Sequence, residues 1–173
     1  MQWRGTTKTG NPASKKRTWI WFNSSDEDLR SFLLVGIRKI IATLKNLTPK
    51  DCIEYTAENL KGGACKGWKI SPDAAAAVYP PEVADKKILI GRNFFALSRD
   101  KKTFDGNFND GDSQLLTLVH EVTHLKDVFH STDDFYSTYL SIKNARDSKI
   151  RYNADSLAAY IVGITPRRVR VRR

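Results

Sequence analysis

Leu118-Val119-His120-Glu121-Val122-Thr123-His124 is the stretch on which the fold and the chemistry turn. On a helix, side chains four apart leave from one face, so His120 and His124 can present two imidazole nitrogens to a single zinc ion. Glu121 stands beside them, within reach of a water on that metal. Zinc hydrolysis needs the three together: the metal lowers the pKa of the water it holds to about 7, and the glutamate takes the proton as the oxygen attacks a carbonyl. The pentapeptide alone is only moderately specific, because two histidines on a helix also serve ordinary surface or core roles. Its setting sharpens it. Leu115, Leu116, Leu118 and Val119 make the preceding turn apolar enough to be buried, and all 3 histidines lie between positions 120 and 130.

Outward from this stretch, the spacing predicts a helix over residues 114–129, with Asp112 or Ser113 as N-cap. Upstream lie a polar loop over 99–111 and a strand over 87–91, with 93–97 either continuing that strand or starting a turn. Residues 50–85 are broken by Gly-Gly, Ser-Pro-Asp and Pro-Pro and read as loops, with a strand near 68–70. Leu29, Phe32, Leu33, Ile37, Ile40, Ile41, Leu44 and Leu47 recur at spacings of three and four, the pattern of a core helix that Pro49 stops. Asp26, Glu27 and Asp28 give it an acidic first turn. A last helix is expected over 153–162, before Gly163 and Pro166.

The 173 residues, 40% of them hydrophobic, suit one domain with a real core and exclude a coreless tail or a disulfide mini-protein. No apolar run approaches the roughly 20 residues of a membrane span. The net charge of +10 favours anionic partners, but its placement decides its meaning. Arg4, Lys8, Lys15, Lys16 and Arg17 at one end, with five arginines between Arg167 and Arg173 at the other, equal the whole excess. Residues 1–17 are therefore read as a flexible basic leader, 18–165 as the domain and 166–173 as an arginine-rich tail. Both ends are taken as solvated rather than as a nucleic-acid site. Cys52 and Cys65 stand thirteen apart around Gly62 and Gly63, so one disulfide is geometrically open to them and two reduced thiols equally so. The first 17 residues lack the apolar core of a Sec-type signal.

A catalytic zinc site of this kind needs a third protein donor. A later glutamate is excluded, since Glu121 is the last glutamate in the chain. His130 has the metzincin spacing, but Asp127 replaces that motif's turn glycine and the only methionine is Met1. The third candidate is an aspartate.

Here the chain resembles the aspzincins, the deuterolysin and lysine-specific metallo-endopeptidase family, whose zinc helix is followed by Gly-Thr-x-Asp-x-x-Tyr-Gly. The corresponding stretch is His130-Ser131-Thr132-Asp133-Asp134-Phe135-Tyr136-Ser137. Asp133 and Tyr136 keep the aspartate-to-tyrosine spacing, while His130 and Ser137 replace both glycines. A rival register makes Asp134 the donor but leaves Ser137 where tyrosine belongs. The likeness continues through residues 88–95, Gly111-Asp112-Ser113 and Asn153-Ala154-Asp155-Ser156, covering roughly 86–163. It implies Asp133 as third zinc ligand beside His120 and His124, and Tyr136 as a donor to the oxyanion of the tetrahedral intermediate. It also implies Asp155 as a substrate-binding acid near the metal. Lysine-specific members carry another acid three residues after that aspartate. This chain has Ala158 there, which weakens the expectation of lysine preference.

The expectation is thus a single α+β domain, zincin-like, with a His-Glu-x-x-His active-site helix and a small upstream sheet whose edge takes an extended peptide. The expected function is a zinc-dependent endopeptidase using one Zn2+, with catalytic Glu121 and Tyr136 and a protein or peptide substrate. A bacterial effector or toxin setting fits its size and charge: a monomer delivered by a non-Sec route and restrained by a cognate immunity or inhibitor protein. The alternatives are a zinc amidase acting on cell-wall peptides and a non-catalytic basic module binding nucleic acid or an anionic surface.

Overall fold

The computed structural model describes residues 12–61, 71, 73–78, 87–100 and 112–164. Helix α1 (Pro12–Phe22) starts with proline at its first position, where a missing N–H costs nothing. Trp21 is fully buried, its indole N–H donating to the Ile164 carbonyl at 3.3 Å. Phe22 meets Tyr160 edge-on, and the Arg17 guanidinium lies 4.8 Å over the same Tyr160 ring. The expected boundary at 17/18 therefore falls inside a packed helix. Lys15 and Lys16 remain exposed on this helix, and Arg17 is drawn in over the Tyr160 ring. The arginine-rich tail and residues 1–11 lie outside the described residues.

Asp26 caps α2 (Glu27–Asn46), accepting from the Leu29 amide at 2.7 Å. Its buried stripe is Leu29, Leu33, Gly36, Ile40 and Thr43. Phe32, Ile37, Leu44 and Leu47 pack partly against the core, whereas Ile41 faces solvent. Gly36 is there because of a close approach: a Cβ at that position would stand 1.9 Å from the Phe129 ring.

Three short strands form the sheet: β1 (Cys52–Glu54), β2 (Ala76–Val78) and β3 (Ile88–Ile90). Helix α3 (Ala57–Lys61) follows β1 and α4 (Arg92–Ala96) follows β3. The order is β1-β3-β2, with β1 parallel to β3 (Cys52↔Ile88) and β2 antiparallel to it (Ala76↔Ile90, Val78↔Ile88). The central strand, buried throughout, reads Ile-Leu-Ile, as a strand covered on both faces should. Among the described residues this leaves β2 as an edge. Residues 93–97 form a helical turn instead of continuing β3. The strand expected near 68–70 and the Cys52–Cys65 pairing involve positions outside the described residues; Cys52 itself is exposed on β1.

Ser113 caps α5 (Gln114–His124), its hydroxyl accepting from the Leu116 amide. The helix is five residues shorter than the periodicity predicts. Leu125 is extended, and the chain turns back so that Ser131 N donates to Thr123 O at 3.2 Å. Leu125, Val128 and Phe129 are buried in this turn at helix-like spacing, which is why the sequence reads as continuous. After this turn come α6 (Thr138–Lys143), a 3-10 turn (Ser148–Tyr152) and α7 (Ala154–Ile161). Every residue from Ala154 to Tyr160 is buried. Small side chains at 154, 156, 158 and 159 let α7 lie against α5, with α1 and α6 at its flanks.

Candidate active site

The four-residue spacing on α5 brings His120 Nε2 and His124 Nε2 to 3.2 Å from each other. The turn after the helix delivers Asp133, whose Oδ1 lies 3.2 Å from His120 Nε2 and whose Oδ2 lies 3.5 Å from His124 Nε2. Zinc holds such donors tetrahedrally at about 2.0–2.2 Å, which sets them about 3.3–3.6 Å apart. The observed separations lie at or close to those edges, and two imidazoles with one carboxylate are a donor set that zinc accepts. Among the described residues this group can hold one metal ion.

The outer partners orient these donors. His124 Nδ1 donates to the Ser131 carbonyl at 3.0 Å, leaving its Nε2 lone pair for the metal. His120 Nδ1 faces Asp155 Oδ1 at 3.6 Å. Asp155 is only 6% exposed, and its other oxygen accepts from the Ser137 amide at 3.0 Å. Burial opposes a charged His120, but hydrogen bonds to Asp133 and Asp155 and the charge of Glu121 outweigh it and push its pKa up to about 10. The site thus holds a positive charge at the place where a cation fits.

Burial raises the pKa of Glu121; the two histidines and the Val78 amide, which donates to its carboxylate, counteract part of that rise. Asp133 stays below the usual carboxylate range: partial burial works against it, and His120 and His124 overcome that. The Tyr136 phenol is raised, first by burial and then by the charges of Asp155, Asp112, Glu121 and Asp133, so it keeps its proton. Tyr136 is nonetheless 69% exposed, its ring centroid 6.1 Å from that of His120.

Asp134 turns the other way. It accepts from Thr132 Oγ1 at 2.6 Å and pairs with Lys149 at 3.0 Å, outside the donor group. His130 is exposed and also lies outside it. At φ 51° and φ 125°, His130 and Ser137 keep the left-handed backbone region at the two positions where the aspzincin signature has glycine. The replaced glycines have left their conformation behind.

The cleft over these residues is walled by Ala76, Ala77 and Val78 of the β2 edge, opposite Asp133 and Tyr136. A recess beside it is bounded by Ala75, Asp112, Thr117, Ser137 and Asp155. Sequence reasoning missed Val78, which contributes a backbone group with no side-chain signature, and the part of Ser131, whose carbonyl and hydroxyl both reach His124 Nδ1. Asp112, considered only as a cap, also faces the recess.

A helical histidine pair and a downstream aspartate thus form a group that can hold one metal ion. The family model of the lysine-specific metallo-endopeptidases, the aspzincins, matches residues 7–162, and the chain belongs to that family. It is a zinc metallo-endopeptidase, with proteins or peptides as substrates and one zinc ion as cofactor. Among solved structures it is similar in fold to a zinc peptidase from Grifola frondosa, at 20% identity and a TM-score of 0.57, over 86% of this chain and 77% of that one. No curated protein matches. Among the described residues no helix is long and apolar enough to cross a membrane.

Proposed function

We propose that His120, His124 and Asp133 hold the zinc, that Glu121 is the general base of hydrolysis, and that Tyr136 stabilises the oxyanion. The observation that carries this reading is the near-tetrahedral spacing of the three donors, with Glu121 and Tyr136 lining the same cleft. Bound zinc supplies a Lewis acid that polarises a carbonyl and acidifies water. A substrate strand lies along the side of β2 away from β3, where the Val78 amide already serves Glu121. Glu121 takes the proton of the attacking water and passes it to the departing amine; its burial makes it a stronger base than an exposed glutamate. The Tyr136 phenol donates to the oxygen of the former carbonyl.

Asp155 supports a double role. Facing His120, it orients that imidazole; bordering the recess, it adds negative charge where the side chain after the scissile bond sits. With both oxygens already engaged and Ala158 in place of a second acid, preference for lysine or arginine is modest. Peptidase-family membership favours this reading over a cell-wall amidase or a binding module. The same proposal includes an effector or toxin setting with a monomer restrained by an inhibitor protein, and the charge excess fits anionic surroundings there. Metal analysis, followed by mass-spectrometric mapping of cleavage in an unfolded protein with and without chelator, tests the core of the proposal. Retained cleavage after zinc removal would refute it.

A further inference from the structure

The segment carrying Asp133 and Tyr136 has no regular secondary structure of its own, yet it is held at alternate points by a single stretch, residues 152–155. Thr132 N donates to Tyr152 O and Ala154 N donates to Thr132 O, both at 2.9 Å. Ser137 N donates to Asp155 Oδ2. Between these points sits Asn153, whose side chain is completely buried. Its Oδ1 accepts from Phe135 N at 2.8 Å and its Nδ2 donates to Phe135 O at 3.2 Å. A carboxamide thus grips both polar groups of one residue, as a neighbouring strand would. Phe135 lies between Asp133 and Tyr136, so this grip fixes two of the three peptide planes that set their relative direction. Phe135 N and Phe135 O fix which way the amide faces, and the same Nδ2 also reaches Ser141 Oγ at 3.0 Å and Ser156 Oγ at 3.2 Å.

We propose that Asn153 is a positioning residue for catalysis: by clamping the Phe135 backbone it fixes Asp133 and Tyr136 relative to each other across the cleft. This rests on the roles assigned above to Asp133 and Tyr136. In Asn153→Asp the shape stays, the contact to Phe135 N remains possible, and the donor to Phe135 O is lost, so an oxygen meets an oxygen.

The test compares zinc-loaded Asn153→Asp, Tyr136→Phe, the double variant and Ser156→Ala with the parent enzyme, reading zinc affinity by chelator competition, melting temperature, kcat and KM. For Asn153→Asp, zinc affinity and kcat are each expected to fall about tenfold or more, with KM within about twofold. Tyr136→Phe should then cost much less in the Asn153→Asp background than in the parent. Ser156→Ala should lower the melting temperature while leaving kcat in place, since the grip on Phe135 remains. Additive effects of the two substitutions, or a kcat loss equal to the unfolded fraction, would overturn the proposal. No effect of Tyr136→Phe in the parent would instead sink the underlying role of the tyrosine. Should Asn153→Asp fail to fold, hydrogen exchange in the zinc-loaded parent decides. Strong protection of the Phe135 amide supports the clamp, and exchange at the rate of an open loop overturns it.

Discussion

His120 and Asp155 face each other at 3.6 Å on the side of the imidazole that points away from Asp133. A carboxylate behind a metal-binding histidine holds the ring tautomer that leaves Nε2 free. Asp155→Asn is therefore expected to weaken zinc binding by about tenfold, measured by competition with a chelator. Asp155→Ala, with zinc kept saturating, should reduce cleavage before Lys and Arg more than before apolar residues. Unchanged metal affinity and an unchanged cleavage profile would leave Asp155 as a helix-start charge alone.

Glu121→Gln should retain zinc and lose hydrolysis by about two orders of magnitude or more, because the amide keeps the shape but takes no proton. Turnover close to that of the parent would remove Glu121 from the chemistry.

Asp133 and Asp134 are adjacent but face different partners. Asp133→Asn should lower zinc affinity steeply, while Asp134→Asn should leave it within about twofold and cost little stability, as exposed ion pairs do. Equal losses of zinc in the two variants would refute the register.

The metal-free protein should bind zinc more tightly as pH rises. His120 must lose its proton to ligate, and its folded pKa of about 10 exceeds the ordinary 6.5. The same raised value stabilises the metal-free fold fully below about pH 6.5 and is lost as pH climbs through about 10. Calorimetry near pH 8 in buffers of different ionisation heat should register about one proton released per zinc bound. Zero release would contradict the charged His120.

Ser137 occupies φ 125° and ψ 154°, a region that strains any side chain, while its hydroxyl caps α6 through Leu140 N at 3.2 Å. Relief of roughly 1–3 kcal/mol of strain exceeds the few tenths lost in replacing a serine cap by glycine, and the added freedom of the unfolded chain offsets part of the gain. Ser137→Gly should accordingly raise stability by about 1 kcal/mol, read from urea unfolding; a loss would show the cap to be the larger effect.

The meeting of His120 and His124 was legible because helical geometry converts a spacing of four directly into a shared face. Asp133 was legible only through the aspzincin likeness, since nothing in Asp133-Asp134 tells which carboxylate faces α5 until Lys149 is brought to the second. The end of α5 was hidden, because Leu125, Val128 and Phe129 bury the same face in a turn as they would in a helix. Strands of three residues such as β1 and β2 are too short to show alternation, and their pairing with β3 depends on distant chain. The helical state of Lys15 to Arg17 was likewise invisible, because it follows from the docking of Trp21 and Phe22.

The β2 edge spans Ala76 to Val78, about 10 Å at the usual rise per residue. A substrate strand laid there, as proposed above, would meet few backbone positions, and meeting them would require a stretch of the target chain already released from its own hydrogen bonds. Discrimination among targets then follows the local opening equilibrium of each substrate as much as its side chains. Native proteins should be nicked first at frayed ends and loose loops. A tightly folded domain should outlast its own denatured form by roughly the factor its opening free energy dictates.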